Sequence, residues 1–203
     1  ATGPGSSLLL RVKHAVSTDA AVPSGIGFQF GYAFGRVDLT VQDEQGAGIG
    51  GLETKGLVFD QRAGAPLSAA VVAGAGMAYK AGAPVLWSQA ILERSWLDQR
   101  LVLAASGSAV TSPGVDESGR LGAGASLEFR PIPVHGLFVE TQVPLSDPAA
   151  LAWASGLSFY TRQHTFALYA ASTPVLHPAS LAAPTPAALA IGGSMERAFQ
   201  LGR

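Results

Sequence analysis

"GIGFQFGYAFG", residues 25–35, places Ile26, Phe28, Phe30, Tyr32 and Phe34 at every second position and fills the gaps with Gly27, Gln29, Gly31, Ala33 and Gly35. Successive side chains of a strand point to opposite faces, so the stretch reads as a strand with one bulky apolar face and one very small face. The fold turns on what the bulky face touches, a protein core or hydrocarbon.

The same period recurs along the chain. In "RVDLTVQDE" (36–44) Val37, Leu39 and Val41 alternate with Arg36, Asp38, Thr40 and Gln42. In "GRLGAGASLEFR" (119–130) Leu121, Ala123, Ala125, Leu127 and Phe129 alternate with Arg120, Gly122, Gly124, Ser126, Glu128 and Arg130. "LAWASGLSFY" (151–160) sets Leu151, Trp153, Leu157 and Phe159 against Ala152, Ala154, Gly156, Ser158 and Tyr160, and "LAIGGSMERAFQL" (189–201) sets Leu189, Ile191, Met195, Phe199 and Leu201 against Gly192, Ser194, Glu196 and Gln200. Arg197 interrupts the apolar side of this last stretch, where a long cation can snorkel toward a headgroup region. Turn signals between the runs delimit about twelve strands, at 7–16, 25–35, 36–43, 51–62, 67–79, 85–96, 100–111, 119–130, 136–144, 150–161, 164–173 and 188–201.

Composition narrows the setting. Of 203 residues 13% are charged and 48% hydrophobic, against roughly 25% charged in ordinary soluble domains. The mean hydropathy is +0.29. A net charge of −1, with no Lys/Arg cluster interleaved with aromatics, gives no electrostatic footprint for nucleic acid. With no cysteine there is no disulfide, thiolate metal site or Cys nucleophile. The opening "ATGPGSS" lacks the charged and apolar segments of a signal peptide and reads as a processed terminus. The uncharged run "AGAPLSAAVVAGAGMAY" (63–79) approaches the length of a membrane helix, but its Gly and Pro content and its lack of Leu and Ile favour a strand of small residues after a turn.

Connections alternate in character. "STDAAVPS", "EQGAGIG", "KAGAP", "SPGVDES", "SDPAA" and "PVLHPASLAAPTPA" fall at one end of the strands, and mostly tighter links at Gly35-Arg36, "AGAP", "LDQ", "PIPVH" and "RQ" at the other. An even strand number with longer loops at one end and short turns plus both termini at the other is the pattern of a bacterial outer-membrane barrel. A soluble sandwich or lipocalin-like barrel shares the alternation, yet it would show Lys, Glu, Thr and Gln to water where this chain has Gly, Ala and Ser. The expectation is a single domain over 1–203, all-β, an antiparallel transmembrane barrel of about twelve strands. It has an N-terminal tail at 1–6 and a long loop at 174–187. Ile26, Phe28, Phe30, Tyr32, Phe34, Val37, Leu39, Val41, Leu121, Leu127, Phe129, Trp153, Leu157, Phe159, Leu189, Ile191 and Phe199 then face lipid. Trp87, Trp96, Trp153 and Tyr79 lie near strand ends, where aromatic belts sit.

"TRQHTFALYAASTP" (161–174) followed by "LAIGGSMERAFQL" resembles an uncharacterised family of bacterial outer-membrane β-barrels. His164, Phe166, Phe199 and Leu201 hold the positions of its His-x-Phe strand and its closing strand. The closing segment resembles a barrel-assembly recognition signal, except that Leu201, Gly202 and Arg203 stand where a terminal aromatic is commonest. The resemblance implies the fold and the outer membrane, and no substrate.

Chemistry is sparse. No Gly-x-Ser-x-Gly elbow, His-x-x-His pair or metal-spaced carboxylate cluster occurs, and no cofactor motif. His14, His135, His164 and His177 read as interfacial or loop residues, with His164 beside Ser158 or Ser172 as the one arrangement that a lipid-modifying enzyme would use. Asp116-Glu117 reads as a solvated loop. Single charges on the small-residue faces are more informative: Arg11, Lys13, Arg36, Asp38, Glu53, Lys55, Glu93, Arg120, Glu128, Arg130, Glu140, Arg162 and Glu196 would line the lumen, seven basic against six acidic. In "LETKGLVF" Leu57 and Phe59 share a parity with Glu53 and Lys55, a conflict that alternation does not settle. Such a mixed lumen fits a structural or docking subunit filled by its own side chains, or a narrow passive channel for small solutes. The expected partners are outer-membrane lipid and other membrane or periplasmic subunits met through the loop at 174–187; nucleic acid is not among them.

Overall fold

The alternation becomes backbone geometry in twelve strands. The computed structural model describes residues 6–19, 24–45, 48–79, 82–112, 116–145, 151–172 and 189–201, with the side chains of 112, 116–118 and 201 left aside. The strands are β1 (Ser6–Ser17), β2 (Gly25–Phe34), β3 (Val37–Glu44), β4 (Ile49–Phe59), β5 (Ser68–Ala78), β6 (Ala83–Trp96), β7 (Leu101–Ser112), β8 (Asp116–Ile132), β9 (His135–Pro144), β10 (Ala152–Tyr160), β11 (His164–Ala171) and β12 (Ala190–Leu201). Each pairs antiparallel with its sequence neighbours, and β1 pairs with β12 from Ser6↔Leu201 to Ser17↔Ala190, closing the barrel. Closure leaves no strand edge, so the ladder can satisfy its own amides where no water is present.

The 63–79 run is a strand: a 3-10 turn at Gln61–Ala63, capped by Asp60 accepting from the Arg62 N–H at 2.8 Å, precedes β5. β5, built mostly of Ala and Gly around Val71 and Val72, pairs with β4 from Ile49 to Phe59 and with β6 from Ala83 to Glu93. No helix among the described residues is long and apolar enough to cross a membrane. The β2–β3 link is a tight turn at Gly35, whose φ of +62° suits glycine. At the loop end Gly48 N–H donates to Gln45 O, and Tyr79 N–H donates to Gly48 O, one step beyond the Ile49↔Ala78 pair of β4 and β5. The loop at 174–187 and His177 lie outside the described residues. Asp116 and Glu117 begin β8 instead of occupying a loop, because β8 extends to Asp116 across from Ser112.

The barrel is inside out relative to a soluble protein. Phe30 is 54% exposed and Leu121 58%, and Phe28, Tyr32, Phe34, Val37, Leu39, Val41, Leu127, Phe129, Leu157, Leu189, Ile191 and Phe199 are also exposed. Ile26, Trp153 and Phe159 are half-buried on the same outer face. The cluster of buried apolar side chains, Ile49, Val85, Trp87 and Val110 with Ala78 beside it, sits inside the wall of β4 to β7 at the loop end. Trp87 therefore leaves the expected aromatic belt. It shares the inward parity of Val85, and its indole is 3% exposed.

Glycines on the inner face seat inward aromatic rings. Trp87 is directly opposite Gly74 in the ladder, and a Cβ on Gly74 would fall on its indole. Tyr169 has Gly156 on one flank and Gly192 on the other, and a Cβ on Gly192 would press on its ring. Covering glycine with an aromatic restores packing that a strand glycine lacks. The parity conflict in β4 is resolved by a bulge: Leu57 pairs with Ala70 facing inward, the register shifts, and Phe59 pairs with Ala69 facing outward.

Candidate functional site

The inner wall carries seven acidic and five basic side chains among the described residues. In the ladder, Arg11 of β1 lies beside Gln29 of β2 and Glu196 of β12, and its guanidinium bonds both, donating to Gln29 Oε1 at 3.2 Å. Gln29 Nε2 passes the chain on to Gln42 Oε1 at 3.0 Å. Toward the loop end, Lys13 donates to Glu44 Oε1 at 2.9 Å, and Trp87 Nε1 donates to Glu53 Oε2 at 2.9 Å. Toward the short-turn end Glu128 accepts from Arg130 Nη2 at 2.7 Å, from Ser158 Oγ at 2.9 Å and from the Tyr160 hydroxyl. The Arg130 guanidinium lies 4.1 Å from the Tyr160 ring centroid. Each of these bonds joins strands no more than two apart in the ring, so they line the wall instead of bridging the lumen.

Space remains between the walls. A cavity of about 370 Å³ is bounded by Arg11, Glu93, Glu128, Phe138, Glu140 and Tyr160, among others. These come from β1, β6, β8, β9 and β10, and β6 stands five places from β1 in the twelve-strand ring. At about 30 Å³ per water molecule such a volume holds on the order of a dozen waters.

Of the residues expected to line the lumen, Arg11, Lys13, Asp38, Glu53, Lys55, Glu93, Arg120, Glu128, Arg130, Glu140 and Glu196 occupy inward register positions. Arg36 and Arg162 do not: both are exposed residues of turns at the short-turn end, and Arg36 donates to Val58 O at 3.4 Å. Their strands stop one residue sooner than the alternation suggests, since the chain must already reverse there. Conversely β3 runs one residue further, to Glu44, which is 4% exposed and faces inward. Extending the parity of Asp38, Thr40 and Gln42 would have found it. Tyr160 points inward with the parity of Ser158, as the alternation predicts; Phe138 and Tyr169 also point inward, a placement hidden because apolar side chains stand on both faces of β9 and β11.

These shifts alter the charge of the lumen. Among described side chains the inward acids are Asp38, Glu44, Glu53, Glu93, Glu128, Glu140 and Glu196, and the inward bases Arg11, Lys13, Lys55, Arg120 and Arg130, an excess of two negative charges. Arg11, Lys13 and Arg130 are committed to Glu196, Glu44 and Glu128. Glu93 and Glu140 form no ion pair among the described residues; Lys13 and Arg11 act on Glu140 only from a distance.

The hydrolase arrangement is not assembled. Ser158 points inward to Glu128, whereas His164 points outward and its N–H is held by Thr161 Oγ1 at 3.0 Å. Ser172 lies at the opposite end of β11, accepting from the Trp153 N–H at 2.9 Å. No group of three or more potential metal ligands occurs among the described residues.

A closed twelve-strand barrel with an apolar exterior and a charged, partly open interior defines a transmembrane β-barrel. A solved bacterial outer-membrane structure is similar in fold. An outer membrane channel from Pseudomonas putida F1 aligns over 98% of this chain and 97% of its own at 11% identity, with a TM-score of 0.58. The Acinetobacter baumannii outer membrane protein Omp33 aligns over 97% and 98% at 8% identity, TM-score 0.48. No family model and no curated protein matches the sequence. The chain has the fold of a bacterial outer-membrane β-barrel.

Proposed function

We propose that the barrel is a narrow, water-filled conduit that favours small cations over anions. The observation that carries this is the cavity between β1 and β6, into which Glu93 and Glu140 project without a bound counter-charge. A cation beside either carboxylate gains about 1 kcal/mol at about 4 Å even with the full screening of water, a factor of about five in occupancy. The Pseudomonas putida barrel of similar fold is described as a channel. The test is purified protein in a planar bilayer under a KCl gradient: the reversal potential takes the sign of cation preference, and Glu93→Gln with Glu140→Gln moves it toward zero. An anion preference, or a reversal potential unmoved by both substitutions, overturns the proposal.

A filled structural or docking barrel is the second reading, favoured by the Ile49, Val85, Trp87 and Val110 cluster that occupies one side of the lumen. It is supported by folded protein that passes no current. Membership of the uncharacterised barrel family that the closing segments resemble belongs with either reading, since that family brings no substrate.

A further inference from the structure

The outer wall near the short-turn end pairs basic and imidazole side chains with aromatic rings. His164 stacks on Phe166 at 5.7 Å between centroids, the Arg197 guanidinium lies 4.5 Å from the Phe199 centroid, and His135 meets Phe159 edge-on at 5.3 Å. His164 and Arg197 are direct register partners, so both project from the same patch of the outer face. Arg197 Nε is buried and makes no hydrogen bond. A guanidinium on the lipid face costs about 2–4 kcal/mol at the midplane and less near an interface, where a lipid oxyanion can meet it.

Immediately above this patch the outer wall is indented. A groove of about 570 Å³, lined almost wholly by apolar atoms, lies among Val12, Phe159, Phe166, Leu168, Gly193 and Met195. It exists because Gly193, between Leu168 and His14 in the ladder, contributes no side chain to the outer face. Met195 and Phe166 stand two residues along their strands from Arg197 and His164, so the Arg197–His164 patch forms the foot of the groove.

We propose that this is a binding site for one membrane phospholipid, its phosphate on Arg197 and His164 and one acyl chain in the groove above Gly193. Arginine suits phosphate because its planar fork donates two parallel hydrogen bonds. The groove supplies what a bare charged rim lacks, a fixed apolar seat continuous with the phosphate position. The short-turn end of outer-membrane barrels faces the periplasm, so the lipid belongs to the inner leaflet. The site is independent of the lumen and of any conductance.

The experiment is native mass spectrometry of the full chain released from detergent doped with phosphatidylglycerol, folding being confirmed by heat-modifiable migration on a gel. The wild type retains one lipid. Arg197→Gln with His164→Gln lowers retention at least about tenfold, the loss expected for charge-assisted hydrogen bonds. Gly193→Leu, which leaves both Arg197 and His164 in place and fills the groove, lowers it as well, and decides the matter should the first variant fail to fold. Soluble glycerol phosphate does not compete. Retention unchanged in the folded variants, or displacement by glycerol phosphate as effective as by lipid, overturns the proposal.

Discussion

Thr40 and Val41 are consecutive residues of β3 at nearly one depth, and they test the orientation of the whole wall. Val41 is 52% exposed on the outer face, between Phe30 and Leu52 in the ladder. Thr40 points inward, opposite Gly31 and Glu53. Placing Arg at 41 puts a guanidinium into hydrocarbon near mid-wall, at a cost of about 2–4 kcal/mol. Placing Arg at 40 puts the same group into the lumen across from the Glu53 carboxylate, a contact worth about 0.2–1 kcal/mol in its favour. The two variants therefore differ by about 2–5 kcal/mol although their sites are adjacent and their chemistry is identical. Equilibrium urea unfolding of protein folded into phospholipid vesicles, followed by tryptophan fluorescence, reads the difference as a midpoint for Val41→Arg lower by roughly 1–2 M at ordinary m-values. Equal midpoints, or a lower midpoint for Thr40→Arg, would mean that the bulky face does not meet lipid, and the structural account would fail with it.

Gly74→Val places a side chain on the indole of Trp87. It is expected to cost about 1–3 kcal/mol, as overpacking does, and to weaken the near-ultraviolet circular dichroism of the tryptophans relative to Gly56→Val, where nothing lies within 4 Å. Lys13→Met strands the buried Glu44 carboxylate, which keeps no other ion-pair partner among the described residues. The loss expected is about 1–3 kcal/mol in vesicle unfolding, with much of it recovered in the double variant Lys13→Met, Glu44→Gln.

Much of this architecture is legible in the sequence because a strand's period is two and a barrel wall has only two sides. Once Phe28, Phe30 and Phe34 fall on one parity and Gly27, Gly31 and Gly35 on the other, strand, face and setting follow together, and the same rule places Arg11, Glu128 and Glu196 on the inner side. Alternation is a local signal, however, and it fails where the ladder shifts or stops. The bulge between Leu57 and Phe59 turns Phe59 outward against its sequence parity. Strand ends move Arg36 and Arg162 into turns and bring Glu44 inside, and with them a balanced lumen becomes an acidic one. Trp87 escapes the alternation for a different reason: an aromatic on the inner face needs glycines on neighbouring strands to lie against, and Gly74 and Gly51 come next to it only through the ladder.

The sequence by itself determined the class of wall, strands of period two with one hydrocarbon-compatible face and one small face, because hydrophobicity and side-chain size are written residue by residue. Only the tertiary structure decided which charges meet. Arg11 and Glu196 are 185 positions apart in the chain and become neighbours solely because β1 closes on β12. The cavity, its unneutralised carboxylates and the groove above Arg197 likewise arise where distant strands are brought side by side, an arrangement fixed by closure and register and by nothing local.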